Sequence, residues 1–199
     1  MQSFLVYIFP YLIGSIPFGL LLTKAAGLGD IRAIGSGNIG ATNVLRTGHK
    51  PLALLTLLLD VFKGALAVHI AKTLGATSDA VYLAGLAAVI GHMFPIWLKF
   101  KGGKGVATIF GVLIVFSPLL AACSAAVWLG VFLITRYSSL SALISIPLAP
   151  AFALLLGATQ TPEQSAILVL LATLMIMRHK QNILNLMEGK ESKFGKPHA

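Results

Sequence analysis

Six apolar runs, at about 3–23, 51–71, 80–98, 105–135, 139–157 and 163–177, occupy most of this chain. They constrain its fold more than any other feature, because a membrane-spanning helix needs about 20 apolar residues. Of the 199 residues, 57% are hydrophobic and 11% charged, where a soluble domain carries roughly 25% charged. Mean hydropathy is +0.89. These values argue against a soluble globular enzyme and exclude a disordered chain. The first run has no basic residues before it and no small-residue cleavage site. It is also too long for a signal-peptide core, so it reads as a retained span. The single cysteine, Cys123, lies inside an apolar run, which removes both a disulfide framework and a cysteine metal site. No internal repeat divides the chain, and one membrane domain over residues 1–199 is the expected organisation.

The fourth run, 31 residues long, is long for one helix and short for two. Ser117-Pro118 sits inside it, and a proline favours a break there. Charge decides between the readings, because lysine and arginine accumulate in cytoplasmic loops. With one helix, Lys24, Arg32, Arg46, Lys50, Lys99, Lys101 and Lys104 face one side. Lys72, Arg136, Arg178, Lys180, Lys190, Lys193 and Lys196 then face the other, seven against seven. A split at Ser117-Pro118 moves Arg136 and the C-terminal cations across, and the balance becomes 13 against one. The expected fold is therefore all-α and polytopic, with seven transmembrane helices and a short fourth helix. Its N-terminus lies outside and its C-terminus in the cytoplasm. The net charge of +9 then belongs to a membrane face, not to nucleic-acid binding.

Three polar segments share that face. The first contains GSGNIGATNVLRTG, residues 35–48. Gly35, Gly37 and Gly40 permit positive φ, which lets successive backbone N–H groups converge on an anion. Ser36, Asn38, Thr42 and Asn43 add neutral donors, and Arg46 adds a fork suited to phosphate or carboxylate. From Asn38 onward a short helix is expected, its N-terminus facing the same anion. A flexible connection with an anchoring arginine is the bland alternative, and it leaves the density of amide and hydroxyl donors unexplained.

The second segment is GHMFPIWLKFKGGKGVAT, residues 91–108. Trp97, Lys99, Phe100 and Lys101 form an interfacial belt. Gly102, Gly103, Lys104 and Gly105 then lead into an apolar helix, as a phosphate cradle requires. No serine or threonine follows Lys104, so this is not a nucleotide-hydrolysing P-loop. The third segment is RHKQNILNLMEGKESKFG, residues 178–195, with NILNLMEG expected as a short amphipathic helix. Lys190, Lys193 and Lys196 read as a basic tail on anionic lipid, whereas His179 and the asparagines need another explanation. Asn182 and Glu188 are expected to tie the tail to other loops. Asp60 and Lys63, at i and i+3 within the second span, read as a structural pair, with Lys63 reaching toward the site as the alternative.

Six acidic residues without a His/Asp cluster speak against a metal-dependent phosphotransferase. No G-x-S-x-G elbow supplies a nucleophile, and no histidine has an aspartate five residues later. Nothing calls for a cofactor or a metal.

The three segments resemble, in order and spacing over the whole chain, the three motifs of the bacterial acyl-phosphate:glycerol-3-phosphate acyltransferases, the PlsY family. The resemblance implies seven spans and transfer of a fatty acyl group from acyl phosphate to the 1-hydroxyl of glycerol 3-phosphate. The products would be lysophosphatidate and inorganic phosphate, made for phospholipid biosynthesis at the inner membrane. It implies Ser36, Arg46, Lys104, His179 and Asn182 as leading catalytic residues. Gly35, Gly37, Asn38, Gly40, Thr42, Asn43, His92, Gly102, Gly103, Gly105, Thr108 and Lys180 would bind substrate, with Asp60, Lys63 and Glu188 structural. Membrane lipid and a soluble enzyme that makes acyl phosphate are the implied partners. The rival class is a transporter of a small organic phosphate. Against it stand the missing inverted repeat and the placing of donors on one face.

Overall fold

The computed structural model describes residues 2–194, with side chains from Leu5 onward; Lys196 lies outside the described residues. All regular structure among the described residues is helical. The stretches Leu5–Ala25, Lys50–Thr73, Ser78–Leu98, Pro118–Thr135 and Ser138–Leu155 are long and apolar enough to cross a membrane. Pro162–Arg178 qualifies together with Lys180–Met187, to which it is joined at a 59° bend. Val106–Phe116 is apolar but only 11 residues long. The chain is thus an all-helical, multi-pass membrane protein. Its contacts divide into two compact units, residues 1–115 and 116–199.

In the first unit the opening span is broken, where the sequence reads as one continuous run. Helix α1 (Gln2–Gly14) stops before Ser15–Pro17, and α2 (Phe18–Ala25) follows. Pro17 has no N–H and disfavours a helical residue before it. The carbonyl of Ile16, released by the break, accepts from Phe18 N at 3.1 Å and from Lys63 Nζ at 2.8 Å. A single short turn, α3 (Ala41–Leu45), precedes α4 (Lys50–Thr73). Helix α5 (Ser78–Met93) starts at Thr77, whose hydroxyl accepts from Ala80 N at 3.4 Å. Helix α6 (Val106–Phe116) closes the unit.

Small residues let these helices approach. Gly14 of α1 lies against the Ala88 backbone of α5, and Gly91 of α5 against the Tyr11 carbonyl of α1. Likewise Gly64 of α4 meets the Thr108 carbonyl of α6, and Gly111 of α6 meets Val61 of α4. Any larger residue at these four positions would collide with backbone.

The second unit contains α7 (Pro118–Thr135), α8 (Ser138–Leu155), α9 (Pro162–Arg178) and α10 (Lys180–Met187). The break expected from the charge balance is present. Helix α6 ends at Phe116, and the Ser117 hydroxyl accepts from Leu120 N at 3.3 Å at the start of α7. Arg136, at φ 63°, turns α7 into α8. The C-terminal segment returns to that corner: Phe194 N donates to Arg136 O at 2.8 Å, and the Phe194 ring meets Phe132 edge-on at 5.1 Å. Lys193 lies 5.3 Å over the Tyr137 ring. Part of the tail expected to rest on lipid is therefore docked on the protein, since cation–π and aromatic contacts offer it a fixed seat.

Candidate functional site

The first polar segment is built on a small apolar cluster of Leu20, Ile31, Ile39, Val44 and Ala53, with Ile34, Leu45, Leu52 and Leu98 packed around it. Leu98 belongs to the second polar segment, so the cluster supports both loops of the first unit. Asp30 caps the turn Ile31–Ala33 by accepting from Arg32 N at 3.0 Å. The Arg32 guanidinium beside it, with that same backbone bond, holds the Asp30 carboxyl well below the usual carboxylate range.

Asn43 is the knot of the loop. It is 2% exposed, and its amide nitrogen donates to the carbonyls of Ile31 (3.0 Å), Ile34 (2.9 Å) and Asn38 (2.8 Å). Its Oδ1 accepts from Ser36 N at 3.0 Å and from the Ser36 hydroxyl at 3.3 Å. One amide thus serves the buried Ile31 carbonyl and several partly buried loop groups, its two N–H groups shared among the three carbonyls.

Gly35 and Gly37 take positive φ, 54° and 68°, as their sequence context indicates. Gly40 does not: at φ −83° it is the residue before α3, which starts at Ala41 and runs for five residues. The helix expected from Asn38 is accordingly one turn long, too short for a helix-end anion site. The cradle of successive N–H groups also needs correction. Ser36 N turns inward to Asn43, and Gly37 N donates to Ile34 O at 3.0 Å. Side chains remain to meet an anion. Ser36 and Thr42 are exposed, and Arg46 lies across Gly35, with Cδ and Nη1 2.7 and 2.9 Å from where a Cβ would stand. The Asn38 Oδ1 is buried without a hydrogen-bond partner among the described residues.

The second segment is anchored by α1. Tyr11 OH donates to Phe94 O at 2.8 Å and Trp97 Nε1 to the Ser15 hydroxyl at 2.7 Å. Lys99 and Phe100 turn the chain through φ 51° and 61°. Gly102 N then donates to Met93 O at 3.1 Å and Gly103 N to His92 O at 3.0 Å. These two amides satisfy carbonyls at the end of α5 and are spent, so the expected glycine cradle narrows to Lys104 and the start of α6. The glycines are required by contact: a Cβ at Gly102 would strike His92 O, one at Gly103 the His92 ring, and one at Gly105 the Met93 methyl at 2.7 Å. Lys104 is half-buried. Thr108, in α6, is fully buried against Gly64 of α4.

Under this loop lies a buried polar cluster. Asp60, Lys63 and His92 are 3%, 1% and 4% exposed. Lys63 Nζ is 2.7 Å from Asp60 Oδ1 and 5.6 Å from the centre of the Phe18 ring, and His92 Nδ1 is 3.7 Å from the same Asp60 oxygen.

In the second unit His179 stands at the bend between α9 and α10, 2% exposed. Its Nδ1 lies 2.8 Å from Met175 O. A carbonyl only accepts, so Nδ1 carries a proton, and in the neutral form of the ring that tautomer leaves the lone pair on Nε2. Lys180 is exposed. Asn182 Nδ2 donates to Glu191 Oε1 at 2.7 Å, Asn185 Nδ2 to Glu191 Oε2 at 3.4 Å, and the Ser139 hydroxyl to Glu191 Oε1. The tie expected of Glu188 falls to Glu191. Among the described residues Glu188 pairs with exposed Lys190, at 2.8 Å. The available signal was Gly189: at φ 69° it reverses the chain after α10 and carries residue 191 back onto the helix. Among the described residues no group of three or more His, Cys, Asp or Glu side chains gathers as a metal site.

Residues 4–189 match the family model described as glycerol-3-phosphate acyltransferase. A glycerol-3-phosphate acyltransferase of Sinorhizobium fredii is 54% identical over 187 residues, covering 94% of this chain and 90% of that protein. One of Rhodospirillum rubrum is 54% identical over 192 residues, covering 93% and 88%. The crystal structure of PlsY, an integral membrane glycerol 3-phosphate acyltransferase, in its glycerol 3-phosphate form superposes with a TM-score of 0.91 at 41% identity, covering 98% of this chain and 96% of that one. Its lysophosphatidic acid form gives 0.88 at 40% identity, with the same coverage.

Proposed function

This chain belongs to the glycerol-3-phosphate acyltransferase family, and from that premise we propose how its residues carry the reaction. The protein is an enzyme that acylates glycerol 3-phosphate. In our reading the donor is acyl phosphate, made by a soluble enzyme, and the acceptor is the 1-hydroxyl. The three polar segments act at the cytoplasmic side of the inner membrane, on seven spans with the N-terminus outside. The 13-to-one placing of cations supports that orientation, and Val106–Phe116 would be the short fourth span. A transporter draws no support from relatives named as acyltransferases.

The observation that carries the reading is Arg46. Its guanidinium is laid across Gly35, beside the exposed Ser36, on a loop whose shape Asn43 fixes. Both substrates bear phosphate, and a fork held in place meets a phosphate with two parallel bonds. Ser36 and Thr42 add hydroxyl donors. Asn38, with its unpartnered buried oxygen, suits a substrate hydroxyl better than a phosphate. Lys104 neutralises phosphate charge at the start of α6.

Acyl phosphate is already activated, so the enzyme's work is to position the 1-hydroxyl and stabilise developing negative charge. The hydroxyl oxygen attacks the acyl carbonyl carbon. The tetrahedral intermediate then collapses, the bond from carbon to the phosphate oxygen breaks, and inorganic phosphate departs. The hydroxyl proton passes to the leaving phosphate or to Nε2 of His179, the ring nitrogen opposite the one bonded to Met175 O. Asn182, with Lys180 nearby in sequence, is assigned to substrate binding.

Purified protein in detergent, given labelled glycerol 3-phosphate, decides the donor. Product with acyl phosphate and none with the acyl thioester supports the reading; equal product with both refutes it. A His179→Ala rate within about tenfold of wild type would remove the histidine as the base.

A further inference from the structure

The Asp60–Lys63 pair is buried, and His92 stands between it and the loop assigned to phosphate. Burying two charges costs several kcal/mol per ion unless they are held in good geometry. Here Lys63 is held from three sides: by Asp60 at 2.7 Å, by the carbonyl that the broken first span releases at Ile16, 2.8 Å away, and by the Phe18 ring. That arrangement fixes the Asp60 carboxylate. Its Oδ1 stands 3.7 Å from His92 Nδ1, too far for a hydrogen bond but close enough to orient the ring electrostatically at a buried site. The opposite ring atom, Nε2, sits under Gly103 so closely that no side chain fits there. The carbonyls of His92 and Met93 receive the loop's two amides.

We propose that His92 is a positioning residue, transmitting the rigidity of the buried Asp60–Lys63 pair to Gly103 and so setting where the adjacent Lys104 presents its ammonium. The links follow one path: the broken first span, α4, the end of α5 and the glycine loop. The proposal rests on the reading that Lys104 neutralises a phosphate. It does not place His92 on the substrate. A displacement of about 1 Å at such a group costs on the order of a hundredfold in rate, so the support is functionally large even though it touches no reacting atom.

A double-mutant cycle between His92 and Lys104 tests it, read as kcat/KM for glycerol 3-phosphate with thermal unfolding in detergent as the check on folding. His92→Asn keeps a polar atom at the Asp60 side and empties the space under Gly103, whereas His92→Gln refills it. Asn should lose about tenfold or more, Gln should recover most of that loss, and in a Lys104→Ala background His92→Asn should cost less than about twofold. Losses that multiply in the double variant, or a folded His92→Asn enzyme of wild-type efficiency, overturn the proposal. If His92→Asn does not fold, Gly103→Ala serves in its place. Its methyl displaces the ring, and its loss should likewise vanish without Lys104; a persisting loss overturns the proposal. If Lys104→Ala alone works at near-normal rate, the phosphate reading fails and takes this inference with it. A severe Lys104→Ala defect with multiplicative His92 losses defeats the inference alone.

Discussion

The two units hold their functional segments by different means. In the first, the loops at 35–48 and 102–105 are shaped by buried groups and backbone. Asn43 gathers three carbonyls and one amide, two glycine amides close on the end of α5, and an ion pair lies underneath. In the second, the Glu191 carboxylate ties α10 to α8 through side-chain bonds to Ser139, Asn182 and Asn185. A buried knot tolerates no partial loss, because removing one partner leaves the others unsatisfied. A knot made of side chains at a partly open position should fail more gradually.

The largest effect expected from this contrast is at Lys63. Lys63→Met leaves Asp60 buried and uncompensated, and should destabilise the fold by about 3–5 kcal/mol. The paired Asp60→Leu/Lys63→Met enzyme should regain most of that stability in detergent unfolding. Equal instability of the single and double variants would break the account of the pair. Asn43→Ala comes next. It orphans buried carbonyls and the Ser36 amide, with a cost of about 2–4 kcal/mol at 1–3 kcal/mol per unsatisfied group. Loss of activity at unchanged stability would instead make Asn43 a substrate ligand.

Glu191→Gln should cost about 1–2 kcal/mol through weakened charge-assisted bonds, with activity falling through Asn182. Glu188→Gln, which loses only an exposed pair with Lys190, should stay within about 0.5 kcal/mol. Equal responses of the two glutamates would erase the distinction drawn here. A similarly small effect concerns Asp30, whose partner Arg32 is exposed; Asp30→Asn should change stability by no more than about 0.5 kcal/mol. Because the folded carboxyl titrates below the free one, its contribution is complete above the ordinary range near about 4 and fades as pH falls. Unfolding of wild type and Asp30→Asn compared between pH 3 and 6 measures this directly.

How much of this was legible in the chain depends on the range of the interaction concerned. The break at Ser117-Pro118 followed from charge bookkeeping, a property of the whole sequence, and it was found where that bookkeeping put it. The positive φ of Gly35 and Gly37 followed from glycine chemistry at the loop itself. The break at Pro17 did not, because proline alone does not decide it: Pro10, Pro147 and Pro150 lie inside helices. What distinguishes Pro17 is a lysine 46 positions later that takes the carbonyl released beside it. Glu191 was hidden for a similar reason, since only the reversal at Gly189 brings it to Asn182 and Asn185. The inward turn of the Ser36, Gly37, Gly102 and Gly103 amides was likewise invisible, because glycine spacing reports the freedom to turn and not the direction taken.

In the mechanism we propose, fixed cations serve direct acyl transfer from acyl phosphate, with no acyl-enzyme intermediate. The most direct test follows inorganic phosphate and lysophosphatidate together, with purified wild-type and Lys104→Ala enzymes in detergent. The expected result is one phosphate per lysophosphatidate, no phosphate released until glycerol 3-phosphate is added, and a loss of about a hundredfold in the variant. A burst of phosphate before glycerol 3-phosphate is added, or a Lys104→Ala enzyme as fast as wild type, would contradict it.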